Sequence, residues 1–140
     1  MKQLVIINGP NLNLLGKRET AIYGSQSFDD YLPQLQVMFR EVDITYFQSN
    51  HEGELIDKLH QVGFTAAGII FNPGGYAHTS IALADAIAAI PAPVVEVHVS
   101  NTFAREEFRH RSFTAAKSKG VIAGFGLESY RLAILYLVSL

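Results

Sequence analysis

Apolar residues fall in short runs rich in Val, Ile and Phe, separated by stretches with the three-to-four-residue spacing of an amphipathic helix. The runs predict strands at residues 4–7, 44–47, 67–71, 94–97 and 121–125. The helical spacing predicts helices over residues 28–42, 52–62, 79–90 and 128–140. Ser27 followed by Asp30 resembles a capping box at the start of the first helix, which puts Pro33 near its first turn. Pro91 and Pro93 close the Ala-rich helix before them. Strands alternating with helices argue a parallel sheet covered on both faces. Five such units in 140 residues predict a flavodoxin-like, doubly wound α/β fold. No repeat, low-complexity stretch or boundary divides the chain, so residues 1–140 read as a single catalytic domain.

The polar residues gather after the strands. The strand ends run into NGPNLN (8–13), SNHEGE (49–54), NPGGYAH (72–78), HVSN (98–101) and GFG (124–126). Any one such loop reads as ordinary caps and turns. Doubly wound folds, however, bind ligands at the carboxyl ends of their strands, and several Asn-, His- and Gly-rich loops at one edge suit a small polar ligand.

Composition removes several classes of function. The chain has no cysteine, which excludes disulfides and thiolate metal sites and fits a reducing, cytoplasmic setting. A net charge of −2 with no basic run gives nucleic acid no footprint. The opening MKQLVIINGP lacks the features of a signal peptide, and no stretch approaches the ~20 apolar residues that span a bilayer. No partner in nucleic acid or membrane is expected.

Residues 9–27 form a connection far longer than the ~2–6 residues usual between strand and helix. The segment reads as an active-site lid, with Gly16 and Gly24 as hinges and Lys17, Arg18 and Tyr23 between them. One reading is that Tyr23 packs the loop down and Arg18 is solvated. The other is chemical. A phenol with its ordinary pKa near 10 is a poor base, and lowering it by about 2–3 units takes about 3–4 kcal/mol of preferential stabilisation of phenolate. A nearby Arg in a water-depleted site supplies about that much.

VEVHVS places Glu96 and His98 two apart, on one face of a strand. A buried Glu orients the imidazole and favours its protonated form, which suits a general acid; a structural polar cluster is the competing reading. Arg105 and Arg109 stand at i, i+4, so in a helix they share a face, toward an anion or in solvent beside Glu106 and Glu107.

These blocks, NGPNLNLLGKRETAIYG, FQSNHEGELID, NPGGYAHTSIALADAI, VEVHVSNTFAREEFRHRS and the GFG…YRLA ending, occur in one order along nearly the whole chain. Together they resemble the type II 3-dehydroquinate dehydratases of the shikimate pathway. The resemblance implies a cofactor-free, metal-free elimination of water from 3-dehydroquinate. It implies Tyr23 as base, Arg18 keeping it ionised, Asn11 steadying the enolate oxygen through a water, and His98 as acid with Glu96 behind it. It implies Asn72 and the backbone of Val99 and Ser100 at the substrate carboxylate. His78, Arg109 and Asp85 belong around the ring hydroxyls, with Asp85 reaching in from a neighbouring subunit, and Arg105 is a second lid arginine. It also implies trimers assembled into dodecamers. Thr20 departs from the proline usual in the family's lid, and residues 113–124 are less apolar than the family's version.

Dehydration next to a ketone needs a base, an oxyanion stabiliser and an acid, one of which each of Tyr23, Asn11 and His98 supplies. None of Lys2, Lys17, Lys58, Lys117 and Lys119 falls within a predicted apolar strand, where burial would suit a Schiff base. The rival reading is a flavodoxin-like ligand-binding module without catalysis. It calls for a phosphate-cradling loop or clustered acids after the first strand, and NGPNLN offers neither. A hydrolase lacks its G-x-S-x-G or Cys nucleophile. A metal enzyme lacks H-E-x-x-H, since His51-Glu52 stands alone and His51 reads as a loop or cap residue.

Overall fold

The computed structural model describes residues 1–140. Its strands are β1 (Lys2–Asn8), β2 (Val42–Gln48), β3 (Gly68–Asn72), β4 (Val94–His98) and β5 (Gly120–Ala123). They form one parallel sheet in the order β2-β1-β3-β4-β5. This is the flavodoxin-like α/β order. A helical turn, α1 (Thr20–Tyr23), precedes the longer helices α2 (Phe28–Met38), α3 (Glu52–Val62), α4 (Ile81–Ala88) and α5 (Glu128–Val138).

Alternation along β1 divides the core in two. Leu4 and Ile6 point to a layer with Phe28 and Leu35 of α2 and Tyr130, Ile134 and Leu137 of α5. Val5 and Ile7 point to the opposite layer, with Leu55 and Leu59 of α3 and Leu83 and Ile87 of α4. Each central strand is thus buried on both faces, as a parallel sheet requires. Gly68 is where α5 presses on the sheet: a Cβ there would lie 2.8 Å from Leu137.

Several boundaries differ from the sequence reading. The helix expected over 28–42 ends at Met38, and Val42 opens β2 opposite Lys2. Phe39 and Val42 continue the helical spacing of Leu35 but reach the core through a turn. Ser27 does cap α2, its Oγ accepting from Asp30 N at 3.1 Å, and Pro33 sits just past the first turn. The helix expected over 79–90 is shorter, because Ser80 Oγ accepts from Leu83 N at 2.9 Å and starts it at Ile81. Lys2 begins β1 but is exposed, with Nζ donating to the Leu140 carbonyl at 2.9 Å. No helix is long and apolar enough to cross a membrane.

The register sets Asn8 at the end of β1 beside both Gln48 of β2 and Asn72 of β3. The chain leaves β1 for one side of the sheet and reaches β3 on the other. That reversal opens a crevice at the carboxyl edge, the usual ligand position in such sheets.

Candidate active site

At this edge the ends of β1, β3 and β4 meet segment 9–27 around a polar pocket of about 110 Å³. Asn11, Arg18, Tyr23, Asn72, His78, His98, Val99, Ser100, Arg105 and Arg109 all line it. Two candidates do not. Glu96 lies behind His98, and Asp85 is exposed on α4, away from the pocket of its own chain.

Segment 9–27 is long but structured. It holds a 3-10 turn at Leu12–Leu14 and the helical turn α1, and Gly16 and Gly24 take positive φ of 89° and 84°. Gly9 fixes its root, since a Cβ there would lie 2.5 Å from the Pro73 carbonyl oxygen. Asn11 is left-handed (φ 69°), and its N–H donates to Asn50 Oδ1 at 3.0 Å. Gln48 Nε2 ties the same corner to the Gly9 carbonyl at 3.1 Å.

Tyr23 closes α1 over the pocket. Arg105 Nη1 donates to its phenol oxygen at 2.7 Å and to Ser100 Oγ at 3.2 Å. The Arg18 guanidinium carbon stands 4.5 Å above the ring centroid, while Arg18 Nη2 pairs with Glu19 at 3.1 Å. Both arginines therefore engage the phenol, Arg105 at the oxygen and Arg18 at the ring face. A guanidinium donor bond stabilises an oxygen that carries negative charge. Arg105 and Arg109 do not share a helix. Arg105 is extended between 3-10 turns at Thr102–Ala104 and Glu107–His110, and the pair reaches the pocket by this bend.

Across the pocket, His98 Nε2 donates to Glu96 Oε2 at 2.8 Å, which leaves Nδ1 without a protein partner. Glu96 is fully buried. A buried carboxylate needs donors. Ser112 Oγ supplies one at 2.8 Å and Thr114 Oγ1 another. His78 stacks on His98 with ring centroids 6.1 Å apart, and its Nδ1 bonds the Arg111 carbonyl at 2.7 Å. Burial pushes the His78 pKa below its ordinary value, against the opposing pull of that carbonyl. Asn72 Oδ1 accepts from Gly74 N at 3.1 Å, and its Nδ2 donates to the Tyr130 hydroxyl at 3.0 Å.

Sequence reasoning passed over Ser112, Thr114, Tyr130 and Asn8. The need of a buried Glu96 for hydroxyl donors was the one signal for the first pair, and it singled out no position. Tyr130 sits in an apolar helix and reads as core. No three His, Asp or Glu side chains converge to hold a metal ion. Such a site offers a phenol with one guanidinium at its oxygen and another over its ring, an imidazole braced by a buried carboxylate, and amide donors between them, a set suited to proton transfer at a small anionic ring.

Known proteins share this arrangement of sequence and fold. The 3-dehydroquinate dehydratase of Bacillus pumilus is 54% identical over 142 residues, spanning 99% of this chain and 96% of that protein. That of an Exiguobacterium species is 56% identical over 133 residues, spanning 94% and 91%. The crystal structure of the type II dehydroquinase from Butyrivibrio crossotus superposes with a TM-score of 0.95 at 41% identity, covering 98% of this chain and 97% of that one. The family model described as dehydroquinase class II matches residues 2–138. The chain accordingly belongs to the class II dehydroquinase family.

Proposed function

We propose that this chain is a 3-dehydroquinate dehydratase that eliminates water from its substrate without a metal or organic cofactor, in the shikimate route to chorismate. Tyr23, as phenolate, takes a proton from the carbon next to the ketone. The electron pair moves onto the ketone oxygen as an enolate, which Asn11 steadies through a water. The enolate collapses, the carbon–oxygen bond of the β-hydroxyl breaks, and His98 protonates the departing oxygen. Water leaves and a conjugated enone remains. Arg18 and Arg105 hold the negative charge on Tyr23, and Glu96 holds the imidazolium. Asn72 with the Val99 and Ser100 backbone receives the carboxylate, while His78 and Arg109 face the ring hydroxyls. Residues 9–27 act as the lid.

The observation that carries this reading is the pairing of opposite devices around one small pocket. A guanidinium bonds the Tyr23 oxygen, and a buried carboxylate bonds the His98 ring. The first favours a base and the second an acid. A binding module without chemistry has no use for a buried carboxylate–histidine pair behind its ligand. The reading extends to a cytoplasmic, trimer-based oligomer, most simply a dodecamer, in which Asp85 completes a neighbour's pocket. Supporting it, Asp85 is exposed outside its own pocket, and Leu135 and Tyr136 of α5 are 43% and 37% exposed. The test is purified protein with 3-dehydroquinate, followed by the absorbance of the enone, with and without a chelator. Enone formation unaffected by the chelator is expected. Absence of product refutes the activity, and its loss on chelation refutes the metal-free mechanism.

A further inference from the structure

Beneath the pocket runs a buried chain of side-chain hydrogen bonds of which the mechanism uses only the Asn72 end. Asn8 and Tyr130 are 0% exposed and Asn72 is 2% exposed. Asn72 Nδ2 donates to the Tyr130 hydroxyl at 3.0 Å, and that hydroxyl donates to Asn8 Oδ1 at 2.8 Å. The chain has one sense, fixed by a backbone group. Gly74, held at φ +61° against Pro10, points its N–H at Asn72 Oδ1 at 3.1 Å. A backbone N–H cannot accept, so Asn72 must keep its oxygen there and turn its nitrogen to Tyr130. Tyr130 then receives a bond and must pass its own hydrogen on, to the Asn8 oxygen. Burial pushes the Tyr130 phenol above its ordinary pKa, so the hydroxyl keeps the hydrogen it donates. Asn8 serves this chain through its oxygen alone, since its Nδ2 is buried with no hydrogen-bond partner.

One Asn72 Nδ2 hydrogen is thereby committed to Tyr130, and the second has no protein partner. Asn72 and Gly74 both line the pocket. Gly74 anchors the amide only at its oxygen and the Tyr130 hydroxyl anchors the nitrogen end, so the two bonds together fix the plane in which the second N–H meets the ligand. We propose that Tyr130 is a positioning residue for substrate binding: through Asn8 and Asn72 it locks a donor N–H toward the ligand and makes this corner of the pocket select an anionic group. The inference rests on the reading above that Asn72 meets the substrate carboxylate.

The test is a double-mutant cycle on kcat and KM for 3-dehydroquinate. Tyr130→Phe keeps the ring and removes the link. KM should rise about tenfold, the order expected for one misplaced bond to a charged group. Because Tyr23 and His98 are untouched, kcat should stay within about threefold. In an Asn72→Ala background, Tyr130→Phe should raise KM no further. An unchanged KM in the single variant, or fully additive effects in the double, overturns the proposal. Should Tyr130→Phe fold poorly, Asn8→Leu leaves Tyr130 in place and breaks the same chain, with the same KM rise expected and an unchanged KM overturning it. Neutron diffraction of the wild-type enzyme reads the hydrogens directly. Deuterium on the Tyr130 oxygen directed at Asn8 is expected, and deuterium directed at Asn72 overturns the relay. A wild type inactive on 3-dehydroquinate but with the expected hydrogen positions strikes the functional reading alone. An active enzyme with the opposite positions strikes this inference alone.

Discussion

Glu96→Gln isolates the contribution of one buried charge. The side chains have nearly the same shape, so packing beneath His98 is kept. Glu96 is fully buried and the His98 side chain only 9% exposed, so solvent does little to screen the pair. The carboxylate accepts from His98 at 2.8 Å, from Ser112 at 2.8 Å and from Thr114. However the glutamine amide is seated, the negative charge opposite the imidazolium is gone. A hydrogen bond to a charged group contributes about 1.5–3 kcal/mol. At about 1.4 kcal/mol per tenfold, kcat should fall by about 10–150-fold. Stability need not fall with it, because a neutral side chain avoids the desolvation cost of a buried carboxylate. The assay is kcat from enone absorbance beside the unfolding midpoint of the same preparation. Folded protein with kcat within about threefold of wild type would refute the assignment of Glu96 to the acid.

Other consequences follow from the same geometry. Folded His78 sits below its ordinary pKa, so between that value and the unfolded value of about 6.5 the unfolded chain binds more protons. Its contribution to stability is therefore intact above about pH 6.5 and declines as pH falls below it. Chemical denaturation at pH 7.5 and 5 should show a smaller loss in His78→Asn than in wild type, and equal losses would contradict the burial argument. Gly9→Ala forces a methyl against the Pro73 carbonyl and should cost about 1–3 kcal/mol, seen as a Tm lower by several degrees; an unchanged Tm would show that this contact relaxes freely. If Asp85 serves a neighbour, mixing inactive Tyr23→Phe with inactive Asp85→Ala subunits should restore part of the activity once exchange is demonstrated. No recovery after exchange, or a fully active monomer by light scattering, would end the shared-site proposal.

Alternation of strand and helix made the sheet legible, and strand-end polarity made legible the edge that holds the candidate pocket. Both signals are local and periodic. The end of α2 was not legible, because Leu35, Phe39 and Val42 keep helical spacing across the break and no Gly or Pro marks it. Tyr23 was visible in the long segment after β1, but the partner of its hydroxyl was not. Arg105 is 82 residues away, and its approach depends on a bend between 3-10 turns rather than on a helix face. Ser112 and Thr114 bond a carboxylate 16 and 18 residues back, from an irregular segment without periodicity. Tyr130 bonds Asn8 across 122 residues, and nothing within its apolar helix distinguishes a core phenol from a positioning one. What the sequence concealed was the pairing of polar groups that meet only when the sheet is assembled.

The central claim is that Tyr23 removes the proton and His98 releases the hydroxyl, as separable acts on opposite sides of one pocket. Proton NMR of 3-dehydroquinate in deuterium oxide tests both at once with wild type, Tyr23→Phe and His98→Ala. Wild type should form the enone. His98→Ala should exchange the proton next to the ketone for deuterium while forming little product, and Tyr23→Phe should do neither. Exchange that persists in Tyr23→Phe, or wild-type elimination in His98→Ala, would contradict the account.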